Sequence, residues 1–223
     1  MADFVAVDVE TANHDLASIC QIAAVAFNAG EVSDTWASLV DPDDYFDPVN
    51  VEIHGIDASS VRGAPRFEQV LGELTRRVAG QIVAIHTTFD RSAIQQACRM
   101  CDAPMPDCRW LDTAKVCRRT WTQFSRKGYG LENVARELGI KFRHHDAAED
   151  ARTAGRILVR AMADTGEPVE ALLARSLKPI SERSPIAIAR EGNEEGVLFG
   201  EVVVFTGALT TRLRHLQPRR GAR

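Results

Sequence analysis

The chain has 223 residues, of which 45% are hydrophobic and 26% are charged, and this balance excludes a disordered, collagen-like or fibrous protein. No apolar run approaches the roughly 20 residues of a membrane-spanning helix, and the first residues lack the pattern of a signal peptide, so we expect a cytoplasmic protein with no membrane partner. The net charge of −4 combines an acidic body with five arginines after Leu209. An acidic body argues against binding nucleic acid by counterion release alone.

The first part of the chain has the pattern of three strands. Residues 4–7 form a short apolar run that is typical of a buried strand. Segments 19–27 and 31–40, separated by residues 28–30, have the pattern of an antiparallel hairpin. A loop marked by Pro42 and Pro48 leads to the segment 54–56.

The rest of the body alternates helical and strand patterns. Apolar residues spaced three and four apart predict a helix over 67–78, followed by a strand at 82–85. A helix that carries Ile94 follows and stops before Pro104. We also expect a short strand at 110–111 and helices at 113–121, 130–138 and 146–164. Strands first, then strand and helix in alternation, predict an α/β fold with a mixed sheet.

The five cysteines of the chain are Cys20, Cys98, Cys101, Cys108 and Cys117. Without an export signal, we expect them to be reduced. The last four raise the possibility of a zinc site, but their spacing matches no familiar zinc ribbon. Cys98 and Cys101 also share a helical face with Ile94, which favours a buried helix face over a metal site.

Two acidic residues end the first predicted strand. Asp8 and Glu10 are two residues apart, so strand periodicity directs both side chains to one face. Two ionised carboxylates this close repel each other unless a cation lies between them. For this pair taken alone, a solvated strand end is an alternative interpretation.

Three further residues carry ionisable side chains near the ends of other predicted elements. Asp90 follows the strand at 82–85, at the expected start of a helix, where an acid also simply favours the helix N-terminus. Asp150 lies on the apolar stripe of the last long helix, and a buried ionised carboxylate is costly unless it is paired or bound to metal. His145 precedes the same helix. It serves there as a cap or surface residue, or beside a metal as the acceptor of a proton from water.

This set of four acids and one histidine resembles the DEDDh exonucleases, the DnaQ-like group that includes the proofreading subunit of bacterial DNA polymerase III. The matching stretches are residues 4–11 (FVAVDVET), 54–56 (HGI), 89–90 (FD), 111–113 (LDT) and 145–151 (HDAAEDA). Their order and separations match over about residues 3–165. The spacing between His145 and Asp150 is typical of the histidine subgroup rather than the tyrosine subgroup.

The resemblance implies a ribonuclease H-like fold, with a mixed five-stranded sheet flanked by helices. It also implies two divalent cations, Mg²⁺ or Mn²⁺, held by Asp8, Glu10, Asp90 and Asp150, since ligation by oxygen alone suits these ions. His145 is then the general base that deprotonates the attacking water. The expected product is a nucleoside 5′-monophosphate released from a 3′ end.

The resemblance also suggests which residues contact the substrate. Thr11 and His54 are candidates for holding the terminal nucleotide. Where the family often has His-Asn-Ala-x-Phe-Asp, this chain has IHTTFD at residues 85–90, so we expect His86 to substitute for part of those contacts, and Phe89 is retained. The basic residues expected to guide the strand backbone are Arg118, Arg119, Arg126 and Lys127.

We expect an exonuclease domain at 1–168, a linker at 169–196 and an incomplete segment at 197–223 that resembles the first strand of a BRCT domain and ends in a basic tail. The leading hypothesis is a metal-dependent 3′→5′ DNA exonuclease that acts on single-stranded or frayed ends in proofreading or repair, within a polymerase or repair complex. One alternative is an RNA-directed exonuclease of the same family. Another is a non-catalytic protein that binds nucleic-acid ends or a partner.

Overall fold

A mixed five-stranded sheet organises the computed structural model, which describes residues 3–126 and 128–178. Its strands are β1 (Phe4–Thr11), β2 (Ile19–Asn28), β3 (Glu31–Leu39), β4 (Ile82–Ile85) and β5 (Arg109–Asp112), in the order β3-β2-β1-β4-β5. The first three strands are antiparallel, whereas β4 and β5 run parallel to β1. The predicted mixed sheet and the predicted hairpin are both confirmed.

Helices cover both faces of this sheet. They are α1 (Pro48–His54), α2 (Phe67–Val78), α3 (Phe89–Met100), α4 (Thr113–Thr120), α5 (Leu131–Glu137), α6 (Ala147–Thr165) and α7 (Val169–Leu177), with a 3₁₀ turn at Thr122–Arg126. Within the described part of the chain, none of them combines the length and the apolarity of a membrane span.

The side chains of β1 point alternately to the two faces of the sheet and so contribute to two separate layers of the core. Val5, Val7 and Val9 pack in one apolar cluster with α2 and α3, whereas Phe4 and Ala6 belong to a second cluster with α4, α5, α6 and α7. Because side chains alternate along a strand, Asp8 and Glu10 continue the row of Phe4 and Ala6 toward α6. The strand therefore delivers both carboxylates to the same side of the sheet, as their spacing predicts.

Helix α1 occupies a segment for which the sequence predicts only a loop. Asp47 caps it by accepting a hydrogen bond from the Val49 N–H at 2.9 Å, Pro48 occupies its first turn, and Gly55 ends it with φ 76°. Proline at the start and glycine at the end of a helix are favourable positions for these residues. The prediction of a loop was wrong because it treated Pro48 as a breaker.

Helix α7 lies in the segment that the sequence assigns to a linker. Val169, Leu172 and Leu173 are buried and extend the cluster formed by α4 and α6. The helix begins directly after Pro168, which is compatible with a helix start. The rest of the predicted linker and the BRCT-like segment lie outside the described residues, so the division into domains stays a prediction.

Helix α6 approaches the sheet closely at Gly155. A Cβ atom added there would lie 2.1 Å from a ring carbon of Phe27. That ring is stacked on Phe4 with centroids 4.8 Å apart, and both rings are almost fully buried. The absence of a side chain at Gly155 therefore lets the helix and the sheet meet.

We expect Gly155→Ala to lower the free energy of unfolding by about 1–3 kcal/mol, since the added methyl group overpacks the core. This cost exceeds the gain of about 1 kcal/mol that alanine brings to a helix interior. Gly72→Ala is the matched control, because Gly72 is exposed in α2 with no heavy atom within 4 Å of its added Cβ, and it should stabilise the protein. Urea unfolding of both variants measures the difference. Equal stabilisation by both substitutions would contradict the close approach.

Candidate active site

The carboxylates of β1 and α3 meet because β1 and β4 are neighbouring parallel strands. Asp8 and Glu10 lie at the carboxyl end of β1, and Asp90 lies in the first turn of α3, five residues after the end of β4. The backbone N–H of Val9 donates a hydrogen bond to Asp90 Oδ1 at 3.2 Å. This bond fixes the start of α3 beside the strand that carries the other two acids.

Helix α6 brings the remaining predicted residues to the same place. Its N-cap is Asp146, whose side chain accepts hydrogen bonds from the backbone N–H groups of Ala148 and Glu149. His145 precedes the cap with a left-handed backbone, φ 66°, and its N–H donates to Asp150 Oδ2 at 3.0 Å. Asp150 is only 3% exposed, which agrees with its predicted place on the buried stripe.

These side chains converge in one cleft. Oxygen atoms of Asp8, Glu10 and Asp150 lie within 4.8 Å of one another, and Asp90 lines the same cleft of about 210 Å³. His145 Nδ1 lies 3.9 Å from Glu10 Oε1. The complete lining consists of Asp8, Val9, Glu10, His86, Phe89, Asp90, Leu131, His144, His145 and Asp150. The structure thus brings together all five residues that the resemblance assigns to catalysis.

Burial and mutual repulsion make these carboxyl groups unusually weak acids. Burial, with repulsion from Asp90, Asp150 and Glu10, raises the pKa of Asp8 well above its ordinary value. Burial and repulsion from Asp150 and Asp90 raise the pKa of Glu10 to about 8. Burial also raises the pKa of Asp90 and of Asp150 to about 7 each, although hydrogen bonds from Val9 and His145 oppose these shifts. Ionising all four groups near neutral pH therefore requires a compensating positive charge.

The donor set fits a hard divalent cation. Carboxylate oxygens are the ligands that Mg²⁺ and Mn²⁺ prefer. In addition, Asp150 Oδ1 is buried and has no hydrogen-bond partner among the described residues, although buried carboxylate oxygens are normally satisfied. The acidic group is thus able to hold a metal ion, and Asp150 offers it a free coordinating atom.

We expect the metal-free protein to lose stability as the pH rises from about 6 to about 8. The folded-state pKa values of Glu10, Asp90 and Asp150 lie near 7–8, above the ordinary values of about 4 in an unfolded chain. Between these values the folded state binds more protons than the unfolded state, so the free energy of unfolding falls as the pH rises, until the pH has passed the folded-state values. Mg²⁺ should reverse the loss, so the rise in melting temperature on adding Mg²⁺ should be larger at about pH 8 than at about pH 6. Calorimetry with and without Mg²⁺ at both pH values tests this; equal shifts would contradict it.

His145 has the properties of a proton acceptor. Its side chain is 37% exposed at the cleft, and partial burial lowers the pKa of its imidazole, while the charge of Glu132 opposes that shift. A lowered pKa keeps the ring neutral near pH 7, so a ring nitrogen is available to take a proton from water.

The residues predicted to contact the terminal nucleotide fall into two groups. His54 already uses both ring nitrogens: Nε2 donates to the Thr11 carbonyl at 3.1 Å, and Nδ1 accepts from the Ile56 N–H at 3.0 Å. Thr11 itself is buried. Phe89, in contrast, is 42% exposed and lines the cleft. Among these three, Phe89 presents the open surface, whereas His54 holds the end of β1 against α1.

His86 is also engaged inside the fold. Its Nε2 lies 2.8 Å from the Tyr129 carbonyl and its Nδ1 lies 2.8 Å from Thr113 Oγ1. A carbonyl only accepts, so Nε2 carries the proton, and burial lowers the pKa of this imidazole, which keeps the ring neutral. Nδ1 faces the oxygen of the Thr113 hydroxyl, which itself donates to the Ile85 carbonyl at 3.0 Å. His86 therefore positions the segment before α5, and its predicted nucleotide contact stays a prediction.

Two of the four predicted guiding cations have described side chains. The Arg118 guanidinium lies over the ring of Tyr129, 5.4 Å from its centroid. Arg119 donates to the carbonyls of Lys115 at 3.0 Å and Lys178 at 2.6 Å. The side chains of Arg126 and Lys127 lie outside the described part of the structure.

The cysteines that suggested a zinc alternative do not converge. Cys98 belongs to the apolar cluster of α2 and α3, whereas Cys117 belongs to the cluster on the opposite side of the sheet. Burial raises the pKa of Cys98 to about 11 and of Cys117 to about 12, so both remain thiols. They act as small apolar core residues.

Sequence reasoning missed His144. Its Nε2 lies 3.8 Å from Asp150 Oδ2, and its ring lies 3.8 Å from the ring of His145, centroid to centroid. His144 lines the acidic cleft and also a neighbouring cleft of about 420 Å³ beside α1. The signal was available as a doublet of histidines, but only the second of them matches the family pattern.

Comparison with known proteins gives a family model and many relatives. The model described as an exonuclease (RNase_T) matches residues 5–158. A PolC-type DNA polymerase III from Caldanaerobacter subterraneus subsp. tengcongensis is 27% identical over 193 residues, covering 85% of this chain but 13% of the relative. The 3′-5′ exonuclease DinG from Bacillus subtilis is 27% identical over 164 residues, covering 71% of this chain and 17% of the relative. The chain thus spans less than a fifth of the length of these relatives.

Solved structures show the same fold. Exonuclease X in complex with 5′-overhanging duplex DNA superposes with a TM-score of 0.65 at 21% identity, covering 78% of this chain and 99% of that one. The nuclease domain of 3′hExo, a DEDDh family member bound to rAMP, gives a TM-score of 0.64 at 20% identity, covering 74% and 94% of the two chains. These similarities confirm the predicted ribonuclease H-like architecture.

Proposed function

The chain belongs to the DnaQ-like exonuclease family, whose model matches most of its described residues, and from this premise we propose that it is a metal-dependent 3′→5′ exonuclease that shortens DNA. The observation that carries the proposal is the convergence of Asp8, Glu10, Asp90, Asp150 and His145 in one cleft. A protein that only binds nucleic-acid ends has no need to bury four mutually repelling carboxyl groups beside a histidine. The non-catalytic alternative is therefore disfavoured.

The four carboxylates would hold two divalent cations, Mg²⁺ or Mn²⁺, between β1, α3 and α6. When bound, such ions activate a water molecule and stabilise the leaving oxygen of an in-line phosphoryl displacement. Because Asp150 Oδ1 has no partner among the described residues, this residue offers a ligand oxygen without breaking a hydrogen bond. The positive charge also removes the repulsion between the acidic cleft and a phosphodiester.

The remaining chemistry belongs to side chains of the cleft. His145 takes one proton from the attacking water, whose oxygen forms a new bond to the terminal phosphorus. The bond from phosphorus to the 3′ oxygen of the preceding nucleotide breaks, that oxygen takes a proton from solvent, His145 returns its proton to solvent, and a nucleoside 5′-monophosphate leaves. The exposed ring of Phe89 provides a surface on which a base can stack, a contact worth about 1–3 kcal/mol.

DNA is favoured over RNA by the relatives. PolC-type polymerase III and Exonuclease X with duplex DNA are associated by name with DNA, whereas the 3′hExo domain is bound to rAMP. The RNA-directed alternative therefore keeps one specific observation in its favour. By the same comparison, action beside a polymerase or in repair is the cellular setting that we propose.

The test is digestion of matched single-stranded DNA and RNA that carry a 5′ fluorophore, with Mg²⁺ or Mn²⁺ present or chelated. We expect a ladder that shortens from the 3′ end, release of nucleoside 5′-monophosphates, and faster loss of DNA than of RNA. Asp150→Asn, purified in parallel, controls for contaminating nucleases. RNA degradation at least as fast as DNA degradation would overturn the substrate assignment. Equal release by wild type and Asp150→Asn would overturn the activity.

A further inference from the structure

The two adjacent histidines form a second group of possible metal ligands. One ligand atom each of His144, His145 and Asp150 lies within 4.8 Å of the others. His144 Nε2 lies 3.8 Å from Asp150 Oδ2. Asp150 Oδ1 is buried without a hydrogen-bond partner among the described residues. This group shares only Asp150 with the group formed by Asp8, Glu10 and Asp150.

The chemistry of this group differs from that of the carboxylate cluster. Two imidazoles and one carboxylate are a donor set for Zn²⁺, Co²⁺ or Ni²⁺, whereas Mg²⁺ prefers oxygen ligands. A tetrahedral zinc ion with bonds of roughly 2.0–2.1 Å holds its ligand atoms about 3.4 Å apart. The separation of 3.8 Å between His144 and Asp150 exceeds this value by about 0.4 Å, and no pair in the group is more than 4.8 Å apart.

Both histidine side chains are free to make that adjustment. Their side chains are 33% and 37% exposed, and they lie on the loop before the N-cap of α6, with one ring edge of His144 against Phe142 at 5.4 Å between centroids. Three protein ligands leave a fourth position for water.

We propose that His144, His145 and Asp150 form a binding site for a transition-metal dication such as Zn²⁺, and that its occupancy inhibits the nuclease. A zinc ion bound to either ring nitrogen of His145 would leave the proton of the neutral ring on the other nitrogen, so the ring could not accept a further proton, and the ion would also take Asp150 from the catalytic cations. The inhibition rests on the proposed function, whereas the binding of zinc does not. Mg²⁺ and Zn²⁺ would then compete through one shared carboxylate.

Zinc binding is tested first, without any activity measurement. Isothermal titration of metal-free wild type with Zn²⁺ is compared with His144→Ala, with the conservative His144→Gln, and with His14→Ala, which removes an exposed histidine outside the cleft. We expect both His144 variants to bind Zn²⁺ about tenfold or more weakly, since loss of even a supporting group costs a metal site about 10–100-fold, and His14→Ala to match wild type. Co²⁺ added to wild type should give the visible absorption of a site with nitrogen ligands, and His144→Ala should reduce it. Circular dichroism checks that each variant is folded.

A second experiment tests inhibition. The rate of nucleotide release in Mg²⁺ is measured at increasing Zn²⁺ and divided by the zinc-free rate of the same protein, which gives the Zn²⁺ concentration that halves the rate. This concentration should rise about tenfold in His144→Ala and stay the same in His14→Ala. Equal zinc affinity in wild type and both His144 variants would overturn the proposal. If zinc binding depends on His144 but no variant or wild type releases nucleotide, the site stands and the proposed nuclease function fails.

Discussion

Asp8→Asn should lower the rate of nucleotide release by about a thousandfold or more, equivalent to about 4 kcal/mol of lost transition-state stabilisation, and should at the same time raise the melting temperature of the metal-free protein. Asp8 is a proposed ligand of the catalytic cations, so its substitution weakens the binding of these cations. The same carboxyl group is destabilised by burial and by Asp90, Asp150 and Glu10, which is why its pKa is raised. An amide of the same shape removes that repulsion.

The two effects are measured separately. Single-turnover digestion gives the rate, and calorimetry in a chelating buffer at about pH 8 gives a melting temperature that we expect to be higher by at least about 2 °C. Asp43→Asn is a matched control, since Asp43 is exposed, away from the cleft, and pairs with Arg66 on the surface at 2.6 Å. That substitution should leave both the rate and the melting temperature almost unchanged, because an exposed ion pair contributes little to stability. A variant at Asp8 that is both inactive and less stable would point to a structural role instead.

His145→Asn should reduce the rate of the chemical step by about 10²–10⁴-fold, the range typical of a lost general base. Asparagine tolerates the left-handed backbone that His145 adopts at φ 66°, so this variant removes the imidazole while preserving the turn. His145→Ala should lose a similar amount of activity and, in addition, about 1 kcal/mol of stability. Comparing the two variants separates the chemistry of the side chain from the strain of the backbone.

The pH profile provides an independent measurement of the same role. In wild type, the rate should rise with pH as His145 loses its proton, and its lowered pKa places that rise below the ordinary range of a histidine. The rise due to this group should be absent in His145→Asn. Mg²⁺ should still raise the melting temperature of His145→Asn, since this variant retains the four carboxylates. Activity of His145→Asn within tenfold of wild type would contradict a general-base role.

Local periodicity predicted where the acidic side chains of β1 and α6 point, whereas the family resemblance was needed to join the acids into one candidate site. The alternation of β1 placed Asp8 and Glu10 together, and the apolar stripe of α6 predicted a buried Asp150. Both inferences depend only on neighbours within one element, where spacing determines direction. The sequence pattern did not predict the parallel pairing of β1 with β4, which brings their carboxyl ends to the same edge of the sheet and places Asp90 there.

Side-chain partners distant in the chain were beyond this reasoning. His86 is held by Tyr129, 43 residues away, and His54 by Thr11, also 43 residues away. Sequence spacing cannot reveal such hydrogen bonds, so the internal partners of both histidines were not predicted, and their nucleotide contacts stay predictions. Helix α7 was missed for a different reason: its pattern is only two turns long, and the preceding glycine and proline suggested the end of structure.

The long sequence separation between Asp8 and Asp150 has a consequence for how the protein is made. During synthesis β1 emerges first, with Asp8 and Glu10, and Asp90 follows. The carboxylate of Asp150, which completes the group, is made only with α6, the helix that covers one face of the sheet. A nascent chain that lacks α6 therefore has an acidic strand end without a working centre. Under the proposed function, the chain therefore gains its complete acidic centre only once α6 has packed against the sheet.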